Sequence, residues 1–362
     1  MKPDHDSASF ARLDPLTGDW ILYAPDRNGR PTDYTKIHAA ADNKKACPFC
    51  VGHESVTPPT LWIGKRKESG SLYTVTQALD TDQKATDWLV RVFNNRYPSI
   101  SLNQHPERKK TKTNPKNRKD FETQIYPFGG HEVFVDTRCH SQLVIETSID
   151  EWKLLFRAFK DRLRHWNQTS GIEYVSIFKN SGAAGGASLV HSHCQLIATS
   201  FLPSHIHQNL GRMRLAYENT GQCLICAMNE TTLTSGVRTV LNGTSLIAHC
   251  PYASEFPMQL RINPRSHLSY FERSSDEILD ECAELIRRLI IALQQILPDS
   301  SYNLVMSSLP PQQRENESSF HWRIDICPRI TGYAGFEIAT RNAINPILPE
   351  DAAAIYRAHL QV

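Results

Sequence analysis

What the chain lacks narrows its class before any motif is read. In 362 residues no stretch approaches the roughly 18 uninterrupted apolar residues of a membrane span, so no membrane partner is expected. An excess of charge of one sign is lacking too. The 40 Lys+Arg against 38 Asp+Glu leave a formal +2, which argues against a general polyanion binder and points to a small, locally charged ligand. The opening residues Met1 to Phe10 are polar, without the apolar core of a secretory leader, so a cytoplasmic enzyme is the expectation. In that setting nine cysteines, an odd number, should be thiols or metal ligands and not disulfides. One basic segment, His105 to Asp120, contains Arg108, Lys109, Lys110, Lys112, Lys116, Arg118 and Lys119. It has no aromatic residues interleaved for base stacking, so it reads as a solvated insertion and no nucleic-acid partner is expected.

What is present is concentrated in a few places. His191-Ser192-His193-Cys194-Gln195 runs into the apolar Leu196-Ile197-Ala198. On an extended strand, residues i and i+2 face the same side about 7 Å apart, so His191 and His193 can share a site while Ser192 and Cys194 point away. The same spacing also suits two packed histidines or half of a metal site. The segment follows a bend, Asn180 to Ser188, whose small residues, Gly185 and Gly186 among them, let backbone N–H groups approach an anion closely. A nucleophilic imidazole beside a phosphate-sized nest points to nucleotidyl transfer.

An internal duplication organises the rest. The first half carries Cys47-Pro48-Phe49-Cys50, a strand His131–Val135, His140, and a helix with Trp152, Leu155, Phe156, Phe159, Leu163 and Trp166 at three- and four-residue intervals. A strand Tyr174–Phe178 then leads to the bend and His191. The second half carries Cys223-Leu224-Ile225-Cys226, a strand Met258–Ile262 and His267. Its helix has Ile278, Leu279, Cys282, Leu285, Ile286, Leu289 and Leu293, starts at a capping box of Ser274 and Glu277, and is followed by a strand Tyr302–Met306 and by Phe320–Ile326. His140 and His191 lie 51 residues apart, and His267 and His321 lie 54 apart. Each unit is expected to be an antiparallel sheet packed by one helix, an α+β pattern, with repeats at about residues 1–200 and 201–362. Two positions after His321 stands Arg323, so only the first half can carry the paired-imidazole chemistry.

Each CxxC pair with two later histidines predicts a four-ligand zinc site: Cys47, Cys50, His140 and His191 in one half, Cys223, Cys226, His267 and His321 in the other. His131 competes with His140, and the repeat favours His140. A redox pair remains the other reading of a CxxC. If His191 ligates metal, His193 is held at fixed distance and orientation, as a nucleophile requires. Cys139, Cys194, Cys250, Cys282 and Cys327 read as core or supporting residues.

These residues resemble the galactose-1-phosphate uridylyltransferase family, a two-repeat branch of the histidine-triad superfamily. The likeness extends from Asp14–Trp20 through Arg27–Asp33, the first CxxC and Arg91–Pro98 to the His-x-His-x-Gln segment, Phe320-His321-Trp322 and Gly335-Phe336-Glu337. The resemblance implies a double displacement in which His193 attacks a nucleoside diphosphate sugar, releases sugar 1-phosphate, and passes the nucleotidyl group to a second phosphate. It implies that Gln195 bonds the transferred phosphoryl group and that Asn180 and Ser188 hold phosphates across the bend. It also implies that Arg27 and Arg30 face the sugar phosphate, that Asn95 lies near the nucleoside, and that the protein forms a homodimer.

Departures bear on the substrate. Ser192 and Cys194 stand where familiar uridylyltransferases carry proline, or proline or glycine, Arg96 stands where many are acidic, and the second CxxC is complete. These features look more like the plant-type ADP-glucose phosphorylase branch. The first expectation is transfer of UMP between UDP-glucose and hexose 1-phosphate; the second is phosphorolysis of ADP-glucose. A third, of another class, is an inactive zinc- or nucleotide-binding protein.

Overall fold

The structure, a computed structural model, describes residues 10–23, 47–76, 86–102, 127–298 and 300–360. Arg27, Arg30 and the basic segment 105–120 lie outside the described residues. In the first half the strands are β1 (Phe10–Leu13), β2 (Trp20–Tyr23), β3 (Thr60–Arg66), β4 (Leu72–Thr76), β5 (Val90–Asn94), β6 (Gly129–Val135), β7 (Tyr174–Ser181) and β8 (His193–Thr199). Then come β9 (Thr239–Asn242), β10 (Leu246–His249), β11 (Leu260–Pro264), β12 (Tyr302–Ser307), β13 (Arg323–Pro328) and β14 (Ile344–Asn345). The helices are α1 (Ile149–Asn167), α2 (Ser204–Thr220), α3 (Leu224–Ser235), α4 (Asp276–Ile296), α5 (Gly335–Thr340) and α6 (Pro349–Leu360).

Helices α1 and α4 form where the apolar stripes lie. Ser148 accepts from the Glu151 N–H and Glu151 reaches back to the Ser148 N–H, a reciprocal cap at the start of α1. Trp152, Leu155, Phe156, Phe159, Leu163 and Trp166 are all buried beneath it. In α4 the cap is Ser275, which accepts from the Ile278 N–H, and not the expected Ser274. Ser274 is used one turn earlier, its N–H closing a short 3-10 turn on the Phe271 carbonyl. The strand expected from Met258 starts only at Leu260, because Met258 has a left-handed backbone (φ 62°) that breaks extension. Likewise β13 begins at Arg323 and not at Phe320, whose N–H bonds the Asn316 carbonyl.

The α+β class is as the repeat predicts, with one difference: the sheets of the two halves are a single sheet. Eleven strands run in the order β4-β3-β5-β6-β8-β7-β12-β13-β11-β10-β9, and every pairing within it is antiparallel. The seam is β7 against β12, from Tyr302↔Ser181 to Met306↔Ile177. Each half therefore covers the other's exposed edge. A second sheet joins β1, β2 and β14. Helices α1 and α4 lie side by side on one face of the large sheet, linked by Arg157–Asp280 at 3.2 Å and Lys160–Asp276 at 3.0 Å. They share one hydrophobic core with Cys194, Leu196, Ile324 and Ile326. Since side chains alternate along a strand, His193 and Gln195 belong to the face away from those helices. Among the described residues no helix is long and apolar enough to cross a membrane.

Candidate active site and metal-binding groups

The first four-residue group assembles from three distant pieces of chain. Cys47 and Cys50 sit on a tight turn in which the Cys50 N–H meets the Cys47 carbonyl. His140 follows β6, and His191 lies just before β8, not within it as the strand reading expected. The Cys50 Sγ is 3.3 Å from His140 Nδ1 and 3.6 Å from His191 Nδ1, and Cys47 Sγ is 3.6 Å from His191 Nδ1. The second group repeats this, with Cys226 Sγ 3.6 Å from His267 Nδ1 and 3.5 Å from His321 Nδ1, and Cys223 Sγ 4.0 Å from His321 Nδ1. The histidine rings cross edge-on in both, at 5.3 Å and 89° for His140–His191 and 5.4 Å and 88° for His267–His321.

Within each group all ligand atoms lie within 4.8 Å of one another. A tetrahedral metal with thiolate and imidazole ligands needs edges of about 3.3–3.8 Å. Both groups could therefore hold a four-coordinate metal ion. His191 Nε2 donates to the Thr137 carbonyl (2.9 Å) and His267 Nε2 to the Glu317 carbonyl (2.9 Å), which leaves Nδ1 as the ligating nitrogen in each. In the second group the Cys226 thiol, followed by His267 and His321, stabilises Cys223 as a thiolate against the effect of burial. His131, the competing ligand, lies elsewhere. Cys139, read as core or supporting, is exposed.

His193 opens β8 and is buried (6 % exposed), with the Phe49 ring edge-on at 5.2 Å. Its Nδ1 donates to the His191 carbonyl at 2.9 Å, so the proton is fixed on Nδ1 and Nε2 keeps its lone pair. Burial above all holds its pKa below the ordinary histidine value; the Lys179 ammonium adds to this, while the bond to His191 and the Asp136 carboxylate oppose it. A neutral imidazole with a free Nε2 is chemically a nucleophile.

Gln195, on the same face, is held by a residue that sequence reading set aside. His131 Nδ1 accepts the Ser99 N–H at 3.2 Å, so its Nε2 carries the proton and donates to Gln195 Oε1 at 2.8 Å. The Gln195 amide thus keeps its donor end available. Asn95 joins the cluster, its amide 3.1 Å from His131 Nε2 and its N–H on the His131 carbonyl. Beside Asn95 and His131 opens a cleft of about 380 Å³. A larger cleft, about 480 Å³, borders the end of α1 and touches none of these residues.

The bend between β7 and β8 is as tight as its composition implies. A Cβ on Gly185 would sit 2.3 Å from the Ser181 carbonyl oxygen, and Gly186 has φ +82°, so neither position accepts another residue without strain. Asn180 enters the bend and Ser188, exposed, leaves it. Asn303, from the second half, donates to Asn180 Oδ1 (2.9 Å) and to the Gly185 carbonyl (2.8 Å). Sequence reading missed Asn303; its only signal was a polar residue on the half-buried side of a strand whose other side, Tyr302, Leu304 and Met306, is buried. Cys194, as expected, points the other way, with its Sγ on Asp136 Oδ2 and its pKa pushed well up by burial.

The eleven-stranded sheet thus carries one His-x-His segment beside a glycine bend and a four-residue Cys/His group in each half. The chain belongs to the galactose-1-phosphate uridylyltransferase family and is an enzyme of the nucleotidyltransferase type: the model of the galactose-1-phosphate uridyl transferase N-terminal domain matches residues 1–203. A model described only as a domain of unknown function matches residues 107–361. The chain is 29 % identical to an ADP-glucose phosphorylase of Arabidopsis thaliana over 96 % of this chain and 92 % of that protein. It is 27 % identical to a galactose-1-phosphate uridylyltransferase of Thermotoga maritima over 94 % and 96 %. A crystal structure of an Arabidopsis thaliana ADP-glucose phosphorylase with bound ADP-glucose superposes with a TM-score of 0.77, at 26 % identity, over 97 % of this chain and 99 % of that one.

Proposed function

We propose that the chain transfers a nucleotidyl group by double displacement through His193. The observation that carries this is the bond from His193 Nδ1 to the His191 carbonyl, which leaves Nε2 as the only free ring nitrogen. The Nε2 lone pair forms a bond to the α-phosphorus of a nucleoside diphosphate sugar. The bond from that phosphorus to the bridging oxygen breaks, and its electron pair leaves with the sugar 1-phosphate. The Nδ1 proton stays shared with the His191 carbonyl, so the nucleotidyl-imidazolium bears the positive charge. An oxygen of the acceptor phosphate then attacks the same phosphorus, and the N–P electron pair returns to Nε2.

Gln195 serves this by donating its amide N–H to the phosphoryl oxygens as charge builds there. Asn180, Gly185, Gly186 and Ser188 are assigned to the phosphates and Asn95 to the nucleoside; Arg27 and Arg30, outside the described residues, are assigned to the sugar phosphate by the family resemblance alone. We expect Gln195→Ala to slow nucleotidyl transfer by about 10²-fold with an unchanged melting temperature, read by single-turnover kinetics; unchanged turnover would remove the assigned contact.

The metal in each group is proposed to be zinc, two ions per chain, a structural ion adding folding free energy and immobilising His191. Trp20, Tyr333, Phe336 and Ile338 are exposed apolar residues that support a second copy of the chain as partner. The repeats divide near residue 200, and the location is cytoplasmic.

UDP-glucose with hexose 1-phosphate as acceptor is the donor pair the family suggests. Phosphorolysis of ADP-glucose has specific support: the plant relative spans 96 % of the chain, and Ser192 and the second Cys/His group fit that branch. The test incubates the protein separately with UDP-glucose and ADP-glucose, adds galactose 1-phosphate or phosphate, and identifies products. UDP-galactose or ADP distinguishes the two readings. No covalent adduct with either donor would return the chain to the inactive-binding reading.

A further inference from the structure

Behind His193, on the helix side of the sheet, an ion pair is buried that the chemistry above does not use. Lys179 (2 % exposed) on β7 places its Nζ 2.5 Å from Asp136 Oδ2, and Asp136 (6 % exposed) directly follows β6. The same ammonium donates to Ser192 Oγ at 2.5 Å. Burial by itself depresses the Lys179 pKa, but Asp136 outweighs this and raises it, so the lysine is charged.

Fold stability is a weak reason for carrying these charges inside. Desolvating two ions costs several kcal/mol each, and a buried pair replaced by apolar residues is often no less stable. What distinguishes this pair is what it touches. Ser192 shares a peptide bond with His191. The carbonyl of that peptide accepts the His193 Nδ1 proton, and its N–H donates to the Ser141 carbonyl at 3.1 Å. The peptide is planar, so its two ends turn together. Rotating Ser192 would swing the carbonyl away from Nδ1 and release the proton that keeps Nε2 free. Thr137, next to Asp136, meanwhile accepts from His191 Nε2. One cluster, drawn from β7, the segment after β6 and the segment before β8, thus orients both histidines.

We infer that Lys179, held by Asp136, is a positioning residue that clamps Ser192 and so fixes the His191–Ser192 peptide that sets the tautomer and aim of His193. The inference rests on the proposed role of His193 and deepens it. Its effect belongs to the step in which Nε2 attacks phosphorus and not to binding, because no atom of Lys179 or Ser192 is assigned to substrate.

The test is the single-turnover rate of nucleotidyl-enzyme formation with whichever of UDP-glucose or ADP-glucose labels the wild-type protein, measured well below the melting temperature. Ser192→Ala removes the clamped hydroxyl and leaves the ion pair intact. It should slow the step about tenfold, the scale of losing one hydrogen bond to a charged group, with donor affinity and metal content unchanged. Lys179→Met combined with Ser192→Ala should be no slower than Lys179→Met alone, since both act through one contact. Lys179→Met leaves Asp136 uncompensated and can fail to fold, so the charge-free Asp136→Asn/Lys179→Met variant is measured beside it. That variant should fold and remain about tenfold slow, whereas a purely structural pair would let it recover the wild-type rate. Ser192→Ala at the wild-type rate, or losses that multiply in the double variant, would overturn the inference. A wild-type protein that forms no adduct with either donor would instead overturn the role of His193 on which it rests.

Discussion

His193→Asn should abolish covalent labelling by either nucleotide sugar and reduce turnover by at least about 10³-fold, while leaving the fold and the metal content intact. The geometry makes the effect large. His193 is buried against Phe49, and its Nδ1 proton is committed to the His191 carbonyl. Cys194, the adjacent potential nucleophile, lies on the helix side of the sheet, with burial pushing its thiol pKa well up, so no thiolate is at hand to substitute. His131 is not a substitute either, since its Nε2 proton is engaged with Gln195 and its Nδ1 with the Ser99 N–H. Intact-protein mass spectrometry after mixing with donor provides the measurement. An adduct of undiminished yield in His193→Asn would remove His193 from the role.

The second large effect separates the two Cys/His groups that could hold a metal. Cys47→Ser or His140→Ala should lose about one metal equivalent, lower the melting temperature and depress activity together, because His191 belongs to that group and its carbonyl orients His193. Cys223→Ser should also lose one equivalent and lose stability. Its surviving folded fraction should still form the nucleotidyl-enzyme, since Arg323 stands in β13 where the first repeat has His193. Structural zinc contributes on the order of 10 kcal/mol of apparent folding free energy in small zinc domains, so both losses should be plain in a melting curve. Elemental analysis of wild-type protein should find two equivalents. One equivalent would sink the second group, and fewer than one would sink both.

Whether the first group reaches His193, the proposed nucleophile, is a question of covalent connection as much as of packing. His191 and His193 are two residues apart, so a rigid His191 limits where His193 can lie, through the intervening Ser192 peptide that Lys179 contacts. In the second half the equivalent stretch, His321 to Arg323, carries no reactive ring, and His321 Nε2 has no hydrogen-bond partner among the described residues. The two groups are alike in ligand geometry and unlike in what lies next to them along the chain.

The sequence by itself determined everything that local spacing can encode. Cys47 with Cys50 sits on a turn and Cys223 with Cys226 on the cap and first turn of α3, local geometries that two intervening residues allow, and the recurrence of the pattern identified His140 and His267 as their partners. Helices α1 and α4 were legible because a 3.6-residue period shows which face will be buried, whatever it is buried against. The face of His193 and Gln195 followed from the two-residue period of a strand once β8 was recognised.

Only the tertiary structure decided which distant residues meet. Nothing in β7 or β12 announces that they pair, because backbone hydrogen bonds between strands are indifferent to side-chain identity; the fusion of two sheets into one came from the need to close two exposed edges. That seam brings Asn303 onto Asn180 and the Gly185 carbonyl, across 123 and 118 residues of chain. His131, a competing metal ligand by sequence, is 64 residues from Gln195 and bonds it only because β6 and β8 are neighbours. Lys179 is the sharpest case. In a strand pattern a lysine reads as solvent-facing, and it is buried here because Asp136, 43 residues earlier, compensates its charge. Local periodicity carries information about faces; compensation between charges exists only between elements already packed together, and that is where the support of His193 resides.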